Sequence, residues 1–315
     1  MHEQIIKLKE SIGKVIVGKD DVIRCVTAGM LTGGHILIED VPGVGKTQLA
    51  AALSRSIGGT FNRIQLTPDV MPSDITGFSM VNQTTFELEY RPGAAMCNFL
   101  LADEINRASP KVQSALLEVM EEHQISIDGE THRLPQPFMV LATQNPVETY
   151  GTYHLPEAQM DRFFMRVSMG YPTEDEEMQI LSRTERHNPL DNITEAALHP
   201  EDIVALQKRV EGVHVSDAVK RYILQIVAAT RKHDALTLGA SPRGSIALYK
   251  AAKANAFLSG RDFVLPDDVK LMAESVLAHR LILSPKGKAQ HGDARTIVRD
   301  VLSKVSVPME SGAVR

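Results

Sequence analysis

Residues 40–47 read DVPGVGKT, close to the pattern G-x-x-x-x-G-K-[ST] with which a chain wraps a phosphate. Gly45, Lys46 and Thr47 fill the last three places, while Asp40 stands where the first glycine should be. A helix start presents unpaired backbone N–H groups, and the helix dipole adds partial positive charge behind them. Gly43 and Gly45 let the backbone curl around an anion without a Cβ in the way. Lys46 can reach the β- and γ-phosphates, and the Thr47 hydroxyl can ligate magnesium. Average composition yields such a string by chance in roughly one chain in a hundred of this length, and the required strand before it and helix after it lower that further.

A phosphate loop does not choose among kinases, GTPases and ATPases. Asp103 closes the apolar run NFLLAD and Glu104 follows it. Asp103 could bind magnesium directly or through water, and Glu104 could polarise a water for attack on the γ-phosphate. An apolar strand ending in Asp-Glu also has structural uses, but its place downstream of the loop favours chemistry. Asn145, in LATQNP, can orient the attacking water or touch the γ-phosphate; an Asn-Pro turn is the plain alternative. Arg162, in LPEAQMDRFF, sits where a helix gives way to a strand, away from its own loop in an open doubly wound sheet. That place suits an arginine acting on a neighbouring subunit's nucleotide, and an ion pair with Asp161 or Glu157 is the alternative. Arg243 opens a helix capped by Ser241 and started by Pro242, where the dipole disfavours a cation unless an anion stands near. A plain surface arginine is the competing reading.

Other classes are excluded by what the sequence lacks. It has no guanine-reading N-K-x-D, no G-x-S-x-G, no H-E-x-x-H and no C-x-x-C. Cys25 and Cys97 are read as buried, reduced thiols. A net charge of −5, 5% aromatics and no Trp argue against nucleic acid as an obligatory partner. No apolar run approaches a membrane span, and the N-terminal MHEQIIKLKE is amphipathic rather than signal-like. A cytoplasmic protein is therefore expected.

The elements that must position these residues follow from the apolar pattern. Buried strands are expected at 35–39, 60–65, 97–103, 138–144 and 163–169, alternating with helices at 46–57 and 110–122. Ser109 and Pro110 would start the second of these helices. Such alternation predicts a parallel sheet covered on both faces. After residue 172 the strand signal stops. Thr173 and Glu176 form a capping box, and further helices start near Pro200, Ser216, Pro242 and Pro266. The 315 residues thus divide into an α/β domain, 1–171, and a helical domain, 172–315. Polar insertions at 68–93 and 125–135 interrupt the first, the latter a hairpin turning at Asp128-Gly129.

Taken jointly, EDVPGVGKT, LLADEINRASPKVQSALLEVMEE, LATQNP and LPEAQMDRF resemble the MoxR family of AAA+ ATPases, a close relative of the magnesium-chelatase ATPase subunits. The resemblance covers nearly the whole chain. It implies a P-loop AAA+ parallel sheet flanked by helices, followed by a smaller all-α lid, with ATP and Mg2+ as cofactors. It implies Val17 and Gly18 beside adenine, and Pro42, Gly43, Val44, Gly45, Lys46, Thr47 and Gln48 around the phosphates. Thr47 and Asp103 would serve magnesium, Glu104 the hydrolytic water, and Asn145 would be the first sensor. Arg162 would be the arginine finger and Arg243 the second sensor, which a repositioned lid would also turn toward a neighbour. Arg107 would face a subunit interface, and both insertions would face the pore or partner side of a ring.

The resemblance further implies a homo-oligomeric, hexameric ring that remodels or activates a partner protein. A von Willebrand factor A domain protein and a client enzyme would be its partners. A metal-chelatase-like motor and a low-turnover ATP switch are the alternatives; the acidic charge weighs against a nucleic-acid motor. The aromatic-hydrophobic-glycine pore loop of unfoldases is missing, which argues against threading. Asp40 departs from the general loop rule but not from the family's, where Asp or Gly is common. Its side chain is expected to point away, so that Asp40→Gly leaves ATP binding nearly intact and Lys46→Ala abolishes it.

Overall fold

Leu49, Ala50, Leu53 and Ile57 fall on one face of a 3.6-residue period, and all four are fully buried beneath a helix spanning Lys46–Ile57. The computed structural model describes residues 3–146, 151–185 and 188–308, so the outer ends of both expected domains lie outside the described residues. Helices α1 (Glu3–Gly13) and α2 (Asp20–Leu31) precede strand β1 (Ile36–Glu39). Then come α3 (Lys46–Ile57), β2 (Phe61–Gln65), α4 (Pro72–Thr76) and the hairpin β3 (Phe78–Val81) and β4 (Leu88–Arg91). Strand β5 (Phe99–Asp103) leads into α5 (Pro110–Glu122), and a second hairpin pairs β6 (Gln124–Ile127) with β7 (Glu130–Arg133). Strand β8 (Met139–Gln144), the short α6 (Glu157–Met160) and β9 (Met165–Val167) complete this part.

The remainder is mainly helical: α7 (Glu174–Thr184), α8 (Pro200–Glu211), α9 (Asp217–Arg231), α10 (Pro242–Leu258), α11 (Pro266–Leu277), α12 (Pro285–His291) and α13 (Ala294–Lys304). A two-stranded pair, β10 (Leu236–Leu238) with β11 (Ile282–Leu283), lies among them. Thr173 and Glu176 make the expected capping box. Ser109 occupies the N-cap position of α5 with an extended backbone, but its hydroxyl makes no capping bond, so Pro110 alone supplies the expected start signal. Among the described residues no helix is long and apolar enough to cross a membrane.

The central sheet is wholly parallel in the order β2-β5-β8-β1-β9. Its three central strands, β5, β8 and β1, are apolar at consecutive positions because helices cover both faces. Strand β2, expected to be buried, is instead an edge strand whose Asn62, Arg63 and Gln65 are half-buried or exposed. Ile36, Ile38, Phe99 and Leu101 pack into one core; Leu37, Leu100, Ala102 and Val140 pack into the other. Each buried Leu or Ile contributes roughly 2 kcal/mol of transfer free energy, enough to fix a register that a one-residue slip would invert.

The 125–135 insertion is the expected hairpin, with Asp128 and Gly129 both at positive φ (52° and 83°), the combination that a two-residue hairpin loop requires. The 68–93 insertion carries α4 and the β3–β4 hairpin. Tyr90 of β4 stacks on His132 of β7, ring centroids 3.8 Å apart, so the two insertions touch.

His35 anchors the N-terminal end of the sheet. Its Nδ1 accepts the Val140 N–H at 3.0 Å, which leaves the proton on Nε2 to meet the Met120 carbonyl at 2.9 Å. Complete burial pushes its pKa down to about 4. It is a neutral spacer between β1, β8 and the end of α5.

Candidate active site

Strands β1, β8 and β5 are neighbours, so the segments that follow them emerge side by side, about 5 Å apart. The loop after β1 turns into α3 at Gly45, whose φ of 92° lies where a Cβ is disfavoured; Gly43 has φ 85°. Lys46 folds back across the loop, its Nζ donating to the Asp40 carbonyl at 3.0 Å. Thr47 lies in the first turn of α3, and Pro42 and Gln48 are exposed.

A cavity of about 500 Å³ opens beside the loop. Val17, Gly43, Val44, Gly45 and Gln48 line one side of it. Met169, Pro172 and Ile180, from the linker after β9 and from α7, line it as well, with the Met169 side chain beside Gly45. Residues expected beside a base and residues expected around phosphates therefore share one space. Gly18 stands next to it with φ 67°, where a Cβ is disfavoured, and a Cβ there would also displace the Glu176 side chain, whose Oε1 would lie 1.7 Å away. A larger cavity, about 580 Å³, is lined by Leu31, Phe138, Tyr249 and Lys253 at the other end of the sheet. None of the motif residues borders it, so its volume does not make it the nucleotide site.

The two acidic residues at the end of β5, Asp103 by its carboxylate and Glu104 by its backbone, are held by a residue outside the expected set. Thr143 of β8 is fully buried, and its hydroxyl donates to Asp103 Oδ1 at 2.5 Å. The Thr143 hydroxyl oxygen in turn accepts the Glu104 N–H at 2.9 Å. Asp103 Oδ2 receives Arg63 Nη2 at 2.7 Å. Glu104 has φ 59°, a left-handed conformation for a residue with a Cβ, which costs on the order of 1–3 kcal/mol. Its carboxylate pairs with Arg107 at 3.1 Å. Asn145 is buried just past β8, and its carbonyl accepts Asn106 Nδ2 at 3.4 Å. Asp103, Glu104 and Asn145 are thus brought to the end of the sheet that also carries the phosphate loop.

Arg162 and Arg243 are not. Both guanidinium groups converge on one carboxylate at the end of α5: Arg162 Nη2 lies 3.2 Å from Glu121 Oε2, and Arg243 Nη2 lies 2.9 Å from Glu121 Oε1. The alternative partners of Arg162, Asp161 and Glu157, are not the ones it takes. Asp161 instead accepts Arg280 Nε at 2.7 Å and the Ser241 hydroxyl at 2.8 Å. Arg280 is buried and also donates to the carbonyls of Phe163 (2.6 Å) and Val276. Phe164 N–H donates to the His35 carbonyl at 2.8 Å, which sets this cluster before the first residues of β1 and β9. The phosphate loop lies past their last residues, so a strand of four residues, roughly 13 Å long, separates the two groups.

This arrangement joins a phosphate loop, a carboxylate pair and a polar strand end, which suits hydrolysis of a nucleoside triphosphate. Residues 35–165 match the ATPase family associated with various cellular activities (AAA), and residues 228–301 match the AAA lid domain. Over 306 residues the chain is 42% identical to chaperone MoxR1 of Mycobacterium tuberculosis, covering 94% of this chain and 80% of that one. The chain belongs to the MoxR family of AAA+ ATPases. It is also 51% identical over 315 residues to the Bacillus subtilis protein YeaC, covering 100% of this chain and 98% of YeaC. A crystal structure of a Cytophaga hutchinsonii protein assigned as an ATPase matches with a TM-score of 0.90 at 39% identity, over 97% of this chain and 95% of that one. This MoxR-family chain is accordingly a nucleotide-binding ATPase with the AAA fold and lid.

Its site includes residues that the motifs alone do not announce. Thr143 sits inside LATQNP, and its signal is a single hydroxyl in an otherwise apolar strand. Arg280 sits in LAHRLIL, a cation flanked by apolar residues and therefore a candidate for a buried partner. Glu121 and Arg63 carry no such signal; their partners are 41 and 40 residues away in sequence, respectively, by subtraction from Arg162 and Asp103.

Proposed function

We propose that this ATPase works as a ring, hexameric as in the resembled family, in which each subunit supplies Arg162 and Arg243 to the nucleotide of a neighbour. The observation that carries the reading is the position of those arginines at the end of the sheet opposite their own phosphate loop, gathered on Glu121. Residues 42–48 hold the phosphates, and Val17 and Gly18 border the base. Glu104 polarises the attacking water and Asn145 orients it, both standing where strands β5 and β8 end. Thr47 and Asp103 offer the hydroxyl and carboxylate oxygens that suit magnesium, and among the described residues no three His, Cys, Asp or Glu side chains cluster to hold a metal by themselves. Bound there, the ion would neutralise charge on the phosphates. Residues 1–171 serve as the ATPase domain and 172–315 as the lid; the last central strand ending at Val167 and the capping box at Thr173 support that division.

The work done with ATP is remodelling or activation of a partner protein, with a von Willebrand factor A domain protein and a client enzyme as partners. The touching insertions, joined by the Tyr90–His132 stack, offer a surface for such a partner. A second reading, a low-turnover switch that assembles on ATP, draws on the ion pairs that engage both carboxylates, Asp103 with Arg63 and Glu104 with Arg107. Turnover per subunit measured against protein concentration tests the ring: a steep rise is expected, and Arg162→Ala should lower the plateau on the order of a thousandfold. Wild-type turnover in Arg162→Ala would remove the arginine from the reaction.

A further inference from the structure

Asp40, the residue standing in place of the first loop glycine, is buried at the end of β1. Its Oδ1 accepts the Val41 N–H at 2.9 Å. Its Oδ2 accepts the Ser168 hydroxyl at 3.0 Å and the Gly170 N–H at 2.7 Å. The backbone is engaged as well: its N–H donates to the Gln144 carbonyl at 3.1 Å, and its carbonyl accepts Lys46 Nζ. Residues 168–170 form the linker from β9 toward α7. Met169, between the two bonded linker residues, lines the nucleotide-sized cavity, and its Cε lies 3.8 Å from where a Cβ on Gly45 would stand. One carboxylate therefore ties the start of the phosphate loop to the linker segment that lines the same cavity beside it.

A negative charge next to a triphosphate site is repelled by the ligand, a cost that glycine would avoid. Three donors aimed at its two oxygens offset that cost, since hydrogen bonds to a charged acceptor are the stronger kind. We propose that Asp40 is a positioning residue for the nucleotide. It holds the loop at 41–45 and the linker at 168–170 at one spacing, so that the nucleotide meets a loop and a Met169 side chain already in register. The inference rests on the assignment of residues 42–48 to the phosphates and extends it to the linker. It reverses the expectation from the pattern alone, in which glycine at position 40 is neutral. Glycine keeps the two backbone bonds and deletes all three bonds of the carboxylate, leaving the Gly170 N–H without that acceptor.

The test uses the full chain: equilibrium binding of a fluorescent ATP analogue, turnover at saturating ATP, and thermal unfolding. Asp40→Gly should raise the dissociation constant about tenfold at a temperature where it is fully folded, with kcat within about twofold of wild type. Asp40→Asn, which keeps the shape but turns one acceptor into a donor, should raise it about threefold. Ser168→Ala deletes one linker bond and leaves the carboxylate, so it serves if Asp40→Gly does not fold; a rise of about twofold to threefold is expected. A lowered melting temperature with an unchanged dissociation constant would reduce Asp40 to a structural residue and overturn the proposal. Wild-type affinity in both Asp40→Asn and Ser168→Ala would do the same. Lys46→Ala separates the two levels: if it binds like wild type, the loop assignment itself fails. If Lys46→Ala does not bind while Asp40→Gly is unaffected, only the role of Asp40 fails.

Discussion

The two ends of the central sheet are built in opposite ways. At the C-terminal end, each functional side chain follows a strand directly, and parallel pairing of β5, β8 and β1 brings them together. Contacts there run between neighbouring strands of the sheet: Arg63 of β2 pairs with Asp103, Thr143 bridges Asp103 and Glu104, and Asp40 receives Lys46 and the linker after β9. At the N-terminal end, Arg162 and Arg243 come from distant segments and meet only because α5 supplies Glu121 and the segment before β11 supplies Arg280. The first end can be complete within one subunit. The second holds two cations on a single carboxylate and has no nucleotide loop of its own. That difference underlies the proposed division of labour, in which one end binds a triphosphate and the other is offered to the next subunit's.

The largest expected effect separates the scaffolds of the two ends. Arg280→Met leaves the Asp161 carboxylate and the Phe163 carbonyl without their guanidinium, and breaking a buried pair from one side costs about 3–5 kcal/mol. Denaturant unfolding should show a loss of that size, with affinity for ATP in the remaining folded protein little changed. A loss under about 1 kcal/mol would mean that the arginine end is held by something else. Thr143→Val acts at the other end. It keeps the volume and removes the hydroxyl that serves both carboxylate residues, so kcat should fall about tenfold while the ATP dissociation constant stays within about twofold. Unchanged kcat would break the claim that the carboxylates need that bridge.

The smallest effect is the sharpest about location. Glu121 is partly exposed, so Glu121→Gln should change unfolding free energy by under about 1 kcal/mol. It removes the charge that keeps two like-charged guanidinium groups together, so turnover should drop a few-fold, and only at protein concentrations where subunits associate. A drop that is the same at all concentrations would place the arginines in the same subunit's reaction.

The same contrast explains what could be read from sequence. The parallel sheet, and the gathering of Gly43 to Thr47, Asp103, Glu104 and Asn145 at one of its ends, are readable because apolar runs reveal strands and these residues follow strand ends directly. The hairpin at Asp128-Gly129 was readable because positive φ at two successive positions selects those residue types. Thr143 lies within a motif, but its hydroxyl alone does not announce its role, since its importance depends on Asp103 and Glu104 standing beside it across β5 and β8. The role of Glu121 and the partners of Arg280 and of the Asp40 carboxylate are not readable. Each acts through partners brought near by packing, and spacing along the chain carries no record of that. Arg162 shows the intermediate case: its exclusion from its own site followed from topology, whereas its partner, Glu121 rather than Asp161 or Glu157, did not.

The division of the two ends between subunits is tested most directly by mixing two inactive variants. Lys46→Ala cannot hold the triphosphate but carries an intact Arg162; Arg162→Ala carries an intact loop and no finger. Combined in equal amounts, about a quarter of subunit contacts in a randomly assembled closed ring join a sound loop to a sound arginine. Turnover should therefore reappear in the mixture at about a quarter of the wild-type rate per subunit, although each variant alone is inactive. A mixture as inactive as its components, with association of the two variants verified by sedimentation, would contradict the assignment and return both ends to one subunit.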